Sequence, residues 1–140
     1  MTIKKREQVS AIMTKQPFSV TLKNSISEVE HLMKKHCIRH APVVDGNKLL
    51  GMISKADLEL ISFLENEGDV IKKTKYYDLF TVQQVMTKSV HCIQEDDFIK
   101  DAAEILSLGS YHALPVLKDD ELVGIVTSTD LINYLLKQYS

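Results

Sequence analysis

The chain has no tryptophan, only three prolines and five glycines, and no long apolar run. A helix that crosses a lipid bilayer needs about 20 consecutive apolar residues, so the sequence predicts no membrane-spanning helix. The N-terminus also has no apolar segment of the length that a signal peptide requires. These absences predict a cytoplasmic protein without a membrane partner.

An excess of charge and a metal-binding pattern are missing as well. The formal net charge is −2, so a nucleic-acid partner is not expected. The two cysteines, Cys37 and Cys92, form no CxxC pair and are expected to be free thiols. His36, Cys37 and His40 are close in sequence, but a structural zinc site needs four ligands. No metal site is predicted, and one at these three residues stays a third alternative.

Several short motifs recur in the same order, and the spacing between the two members of each pair is constant. The pairs are Met13-Thr14-Lys15 with Met86-Thr87-Lys88, Pro42-Val43 with Pro115-Val116, Gly51 with Gly124, and Asp57-Leu58 with Asp130-Leu131. Self-similarity at a fixed period indicates repeated structural units. We therefore divide the chain into a tail (1–7), a first copy (8–65), a connector (66–81) and a second copy (82–140). The larger side chains of the connector are expected to pack onto the module: Tyr76, Tyr77, Leu79 and Phe80.

Each copy has the same predicted order of elements: an amphipathic entry, a strand, a helix, a two-stranded hairpin and a closing helix. Apolar periodicity, a Ser25–Glu28 capping box and Asp/Gly/Asn turns support this order. One copy is too small to bury both faces. We predict an α+β fold of two βαββα-type repeats packed by pseudo-two-fold symmetry, with clefts between them. The predicted helices are 26–36, 55–65, 99–108 and 128–137, and the predicted strands are 18–21, 41–44, 49–54, 90–93, 113–117 and 122–127.

A Ser/Thr-x-x-Asp motif ends the hairpin of each copy, as Ser54 with Asp57 and Thr127 with Asp130. One interpretation is structural, because a hydroxyl and an acidic residue at this spacing form a capping box. The other is functional. A helix N-terminus attracts an anion, the hydroxyl can donate to a phosphate or ribose oxygen, and the carboxylate can accept from a ribose diol. The two roles are compatible.

Polar and cationic residues stand before the proline of each hairpin. The first copy has Arg39 and His40, and the second has Tyr111, His112 and Ala113 before Pro115. The cations can neutralise a phosphate, and the planar guanidinium of arginine suits it best. A surface ion pair for Arg39 and a hydrogen-bonded, half-buried histidine for His112 are the structural alternatives.

Taken together, these motifs resemble a tandem pair of cystathionine β-synthase-type (CBS) domains, called a Bateman module, over about residues 8–137. The resemblance rests on Met13-Thr14, on the segments Ile38–Asp45 and Leu50–Ser54, on Asp57-Leu58, and on the equivalent positions of the second copy. It implies phosphate and ribose contacts from Ser54, Asp57, Thr127 and Asp130. It implies adenine and phosphate contacts from the residues before each proline. Ala113 departs from the cationic option seen at His40, so the two sites are expected to be unequal. The family also implies homodimers.

The sequence contains no phosphate loop, dinucleotide fingerprint, zinc-protease motif or nucleophile elbow. We therefore predict a regulatory module, not an enzyme, that needs no cofactor. It is expected to sense an adenine nucleotide (AMP, ADP or ATP) or a related adenosyl ligand such as S-adenosylmethionine between the repeats, and to signal to a separate, unknown protein. The alternative is a ligand-independent dimerisation or protein-interaction module.

Overall fold

The computed structural model describes residues 6–63 and 77–139, and residue 63 by its backbone alone. The chain divides into two compact units. We call Phe18–Ser89 the central unit, and Met1–Pro17 with Val90–Ser140 the terminal unit. The first five residues of the predicted tail, the predicted helix end at 64–65 and connector residues 66–76 lie outside the described residues.

The predicted α+β class and the repeated order of elements are confirmed. Most helices and hairpin strands begin and end within a residue of the prediction. The elements are a 3-10 turn (Val9–Ala11), β1 (Thr14–Lys15), α1 (Ile26–His36), β2 (His40–Asp45), β3 (Lys48–Ser54), α2 (Lys55–Phe63), α3 (Val82–Val85), β4 (Ile93–Gln94), α4 (Ile99–Ser107), β5 (Ala113–Lys118), β6 (Glu121–Thr127) and α5 (Ser128–Lys137). In the described part of the chain, no helix combines the length and the apolar character needed to cross a membrane.

The predicted strands before α1 and α4 are shorter than expected. Residues 18–21 contribute only a single parallel bridge from Val20 to Val43. Residues 90–93 form a strand only at Ile93–Gln94, which lies parallel to β5. Each of these segments places one apolar side chain, Val20 or Ile93, in the core of its unit.

The central unit packs α1 and α2 against the β2–β3 hairpin. Its core contains the predicted apolar face of α1 (Ile26, Val29 and Met33) together with Val43 and Ile53 from the hairpin. The helix α1 begins at a capping box, in which Ser25 N donates to Glu28 Oε1 at 2.9 Å and Glu28 N donates to Ser25 Oγ at 3.0 Å. It ends at Cys37, whose left-handed φ of 54° stops the helix.

The terminal unit repeats this arrangement with β4, α4, β5, β6 and α5. Strands β5 and β6 are antiparallel, and the turn between them uses Asp119 and Asp120 with φ of 51° and 64°. Positive φ at both central residues matches the twist of the hairpin strands, and Asp tolerates it. The core includes Ala102 and Leu106 of α4, Leu114 of β5 and Val126 of β6.

Each unit contains the entry segment of the other sequence copy. Strand β1, which precedes the first copy's hairpin in the chain, pairs with β6 through Thr14 and Ile125. In the central unit, Thr87 forms the matching bridge with Met52. Thr87 is the repeat equivalent of Thr14, and Ile125 is the repeat equivalent of Met52. The exchange of entry segments is therefore reciprocal.

Two buried glycines make room for these entry segments. A Cβ at Gly51 would lie 2.6 Å from the carbonyl oxygen of Thr87 and 2.8 Å from Met86 Sδ. A Cβ at Gly124 would lie 2.6 Å from Met13 Sδ and 2.9 Å from the carbonyl oxygen of Thr14. The glycine and the Met-Thr motif of the repeat are therefore the two sides of one contact.

Tyr77 anchors the described part of the connector, residues 77–81, in the core of the central unit. This side chain is buried, and its hydroxyl donates to Glu30 Oε2 at 2.6 Å and shares a 3.2 Å hydrogen bond with Ser62 Oγ. Phe80 packs partly against the core. Leu79 was expected to pack there too, but it is 72% exposed, because the turn after Tyr77 carries its side chain away from the core.

Candidate functional site

The two Ser/Thr-x-x-Asp motifs form the same capping box at the same place in the two units. At the start of α2, Ser54 N donates to Asp57 Oδ2 at 2.8 Å, and Asp57 N donates to Ser54 Oγ at 3.1 Å. At the start of α5, Thr127 N donates to Asp130 Oδ2 at 2.8 Å, and Asp130 N donates to Thr127 Oγ1 at 3.1 Å. The structural interpretation of the motif is thus correct at both helices.

The capping boxes leave part of each side chain available to a ligand. Asp57 and Asp130 each use one carboxylate oxygen for the cap, and no described residue donates a hydrogen bond to the other oxygen, Oδ1. The hydroxyls of Ser54 and Thr127 act as acceptors in the cap and retain their own proton for donation. All four side chains are half-buried. Each turn therefore offers a ligand one acceptor and one donor that the described residues leave free.

Strand register brings the residues before each proline next to these turns. His40 lies directly opposite Ser54 in the β2–β3 pair, and Ala113 lies directly opposite Thr127 in the β5–β6 pair. Side chains of directly opposed residues are about 5 Å apart. The half-buried imidazole of His40 is therefore beside the first turn, whereas the second turn has only the methyl group of Ala113 at the equivalent position.

Arg39 and His112 occupy equivalent positions and use their backbones in the same way. The Arg39 carbonyl accepts from Lys55 N at 2.8 Å, and the His112 carbonyl accepts from Ser128 N at 3.1 Å. Both side chains are exposed. Arg39 and Lys55 line a cavity, and Ser54 and Asp57 are not among the residues that line it.

Tyr111 and Pro115 complete the predicted set in the terminal unit. Tyr111 is half-buried, and its ring meets the ring of His91 edge to face, with 5.6 Å between the centroids. The Pro115 side chain is fully buried, and its place in β5 is opposite Ile125. Pro115 therefore contributes an extended backbone without an N–H donor at the third position of β5.

Two features near the predicted residues were not found from the sequence. His91 contacts Tyr111, although the helix α4 lies between them in the chain. Lys55 and Tyr77 line the cavity with Arg39. One signal is present in the sequence, the place of Lys55 directly after Ser54. The other contacts join distant segments, which local sequence patterns do not reveal.

The third alternative, a metal site, has no support among residues 6–63 and 77–139. In this part of the chain, no three His, Cys, Asp or Glu side chains come together as metal ligands. The ring of His36 instead stacks on Phe18 with 3.6 Å between centroids. Cys37 and Cys92 are free thiols, and burial raises the pKa of Cys92 above its ordinary value of 9.0.

Comparison with known proteins gives relatives of two kinds. The chain is 34% identical over 125 residues to homoserine O-acetyltransferase of Methanocorpusculum labreanum, a match to 88% of this chain and 23% of that enzyme. It therefore spans less than a quarter of that relative. The chain is also 30% identical over 135 residues to a CBS domain-containing protein of Dictyostelium discoideum, and the match covers 92% of this chain and 91% of that protein.

A solved structure and a family model agree with these relatives. The CBS domain pair of protein MJ0100, solved in complex with 5′-methylthioadenosine and S-adenosyl-L-methionine, matches with a TM-score of 0.76 and 30% identity, over 95% of this chain and 98% of that chain. The model of the CBS domain matches residues 9–60 and 82–137. Two matches, in the order and at the positions of the repeat, show that this chain belongs to the CBS domain family as a tandem pair.

Proposed function

We propose that this chain is a regulatory module that binds an adenosyl ligand, either an adenine nucleotide or S-adenosylmethionine, at its strand-to-helix turns. The observation that carries the proposal is the Oδ1 atom of Asp57 and of Asp130, which no described residue engages and which is held in place by a cap that uses the other oxygen. A carboxylate fixed in this way is pre-organised to accept two hydrogen bonds from a ribose diol.

The remaining groups at the turns suit the rest of such a ligand. The hydroxyls of Ser54 and Thr127 donate to a phosphate, carboxylate or ribose oxygen, and the N-terminal ends of α2 and α5 favour negative charge. His40 and His112 supply further donors or positive charge beside the turns, whereas Arg39 lines a cavity that Ser54 and Asp57 do not line. Tyr111 offers an aromatic ring for the adenine base. These assignments remain predictions for this chain.

The MJ0100 CBS pair supports the ligand class, because it was solved with two adenosyl compounds and is 30% identical to this chain over nearly its whole length. The sequence contains no phosphate loop, dinucleotide fingerprint, zinc-protease motif or nucleophile elbow. We therefore propose regulation rather than catalysis, in which ligand binding changes the conformation or assembly of the module and a separate protein responds.

The experiment is a binding titration with Asp57→Asn and Asp130→Asn. Asparagine keeps a side-chain oxygen for the cap and replaces the free carboxylate oxygen with an NH₂ group, which cannot accept from a ribose. Isothermal titration calorimetry with AMP, ATP and S-adenosylmethionine should show binding to the natural chain. At a turn that holds the ligand, the substitution should weaken binding by about 10- to 100-fold.

Asp101→Asn is the matched control. Asp101 Oδ2 accepts from Phe98 N at 2.9 Å at the start of α4, so it is the same kind of cap away from both turns. The control should bind as the natural chain does. Loss of affinity in neither turn variant, or no binding of any of the three compounds to the natural chain, would contradict the proposal.

Self-association without a ligand is the second candidate function, and the outer face of α5 favours it. Ile132 and Leu136 are 57% and 61% exposed and lie on one side of α5, and Tyr139, which follows the end of the helix, is 67% exposed. The occupant that we propose is a second copy of this chain, as family resemblance implies. Light scattering after size exclusion should show a dimer that Leu136→Lys weakens, whereas Leu108→Lys, an equally apolar and 80% exposed site on another segment, leaves it intact. A dimer that forms equally in both variants would exclude this face.

A further inference from the structure

A cavity of about 400 Å³ opens in the central unit, between α1, α2 and Tyr77. Its volume is within the range of small-molecule sites. The apolar part of its wall is formed by Met33, Ile38 and Leu58. The Ser54 and Asp57 side chains do not line it, so the cavity is distinct from the candidate site at the start of α2.

Two cationic residues of the cavity wall are neighbours. Arg39 and Lys55 both line it, and the Lys55 N–H donates to the Arg39 carbonyl at 2.8 Å, which holds the two residues side by side. No carboxylate of residues 6–63 or 77–139 forms an ion pair with either cation. Glu59 also lines the cavity, four residues after Lys55, without an ion pair to it.

Two of the remaining charged groups of the wall, Glu30 and Lys34, are engaged with each other. Glu30 Oε1 pairs with Lys34 Nζ at 3.3 Å, and Glu30 Oε2 accepts from the Tyr77 hydroxyl at 2.6 Å. Among the described residues, three cations and two carboxylates line the cavity, a net charge of +1, and the two cations without a described partner are neighbours. An anion beside these two cations would gain contacts that the described residues do not supply.

We propose that this cavity is a second ligand site, which binds a small organic phosphate. The phosphate lies between Arg39 and Lys55, and the apolar part of the molecule packs against Met33, Ile38 and Leu58. Two neighbouring cations suit a doubly charged phosphate better than a singly charged carboxylate, and the planar guanidinium matches its oxygens. The proposal does not depend on adenosyl binding at the strand-to-helix turns.

Cys37 provides a local reporter for this site. It is exposed and lines the cavity next to Arg39. In the full chain, we expect phenyl phosphate to slow the alkylation of Cys37 by iodoacetamide at least about threefold at saturation, measured by mass spectrometry of the labelled peptides. Inorganic phosphate, which lacks the apolar part, should protect Cys37 less at the same concentration. Equal protection by both would overturn the amphipathic assignment.

Three variants decide whether the cavity is responsible. Lys55→Gln, or Arg39→Gln if the first variant misfolds by circular dichroism, should raise the concentration of phenyl phosphate needed for protection by about three- to tenfold. Lys35→Gln removes the same charge from α1 outside the cavity wall and should change nothing. Asp57→Asn should also retain protection.

Absence of protection in the natural chain would overturn the proposal. Protection that is unchanged in the cavity variant that folds, or that Asp57→Asn abolishes, would overturn it as well, because the anion would then act from another place. Failure of adenosyl binding in the calorimetric experiment leaves these outcomes unchanged, so the two proposals fail separately.

Discussion

The strand-to-helix turns of the two units have the same backbone and different neighbours. Their capping boxes agree in donor, acceptor and distance, at 2.8 and 3.1 Å in both. The residue opposite the hydroxyl is His40 in the central unit and Ala113 in the terminal unit. The central unit also has the cavity beside its turn. The expected inequality of the two sites therefore does not come from the Ser/Thr and Asp groups.

This difference separates what the repeat needs for folding from what is free to vary. The Ser/Thr–Asp pair and the glycine both make contacts that the fold requires, a helix cap and a close approach of backbone, and both repeat. The residues before the proline pair through their backbones, and their side chains lie next to the turn. Such positions can diverge, so we expect ligand preference to differ between the units there.

The largest effect is expected from adding a methyl group at each of the two buried glycines. Gly51→Ala should lower the free energy of unfolding by about 3 kcal/mol and Gly124→Ala by about 1–2 kcal/mol, measured by urea denaturation. The new methyl group at Gly51 meets a backbone oxygen at 2.6 Å, which cannot move aside. The nearest atom at Gly124 is the flexible Met13 Sδ, and the backbone oxygen is farther away, at 2.9 Å.

Gly46→Asn is the control for this pair. Gly46 lies in the β2–β3 turn with φ of +62° and open space around it, and Asn tolerates this conformation. It should change stability by less than about 0.5 kcal/mol. Equal losses of unfolding free energy at Gly51 and Gly124 would show that the two entry segments are equally rigid, and would contradict the predicted difference.

A smaller difference is expected between two tyrosine–glutamate hydrogen bonds, one in each unit. Tyr77 donates to Glu30 Oε2 and Tyr134 donates to Glu7 Oε2, both at 2.6 Å. Tyr77 is only 4% exposed, so Tyr77→Phe should cost about 1–2 kcal/mol in unfolding free energy. Tyr134 is more exposed and its bond is screened by water, so Tyr134→Phe should cost under about 0.5 kcal/mol. Thermal unfolding of both variants ranks them, and a larger loss at Tyr134 would reverse the comparison.

The smallest effect concerns the two cysteines and depends on pH. Burial raises the pKa of Cys92, whereas Cys37 is exposed. At pH 8, Cys92 should therefore react with iodoacetamide at least about threefold more slowly than Cys37, and the two rates should converge in urea. Because the folded pKa of Cys92 lies above its unfolded value, its contribution to stability is complete below pH 9.0 and is lost as the pH rises through the folded pKa.

Peptide mapping by mass spectrometry measures both cysteine rates in one sample. Cys92→Ser is the control. This variant has no thiol at position 92, so the part of the stability loss above pH 9.0 that is due to the Cys92 thiol should be absent. Equal rates at pH 8 in the folded chain would show that Cys92 is as accessible as Cys37.

Much of this protein follows from local patterns in its sequence. The capping boxes of Ser25, Ser54 and Thr127, the helix periodicities and the turn residues predicted nearly every element to within a residue or two, because each depends on neighbours three or four residues away. The internal repeat predicted the equivalence of the two copies and, by resemblance, the CBS family.

Only the tertiary structure showed where those pieces meet. In it, each unit contains the entry segment of the other sequence copy, so that Thr14 pairs with Ile125 and Thr87 with Met52. This close approach explains why a glycine is repeated at 51 and 124. It also brought Arg39, Lys55 and Tyr77 together in the wall of one cavity. Local sequence encodes hydrogen bonds within one turn of chain, whereas these contacts join residues that are distant in sequence and are selected by packing alone.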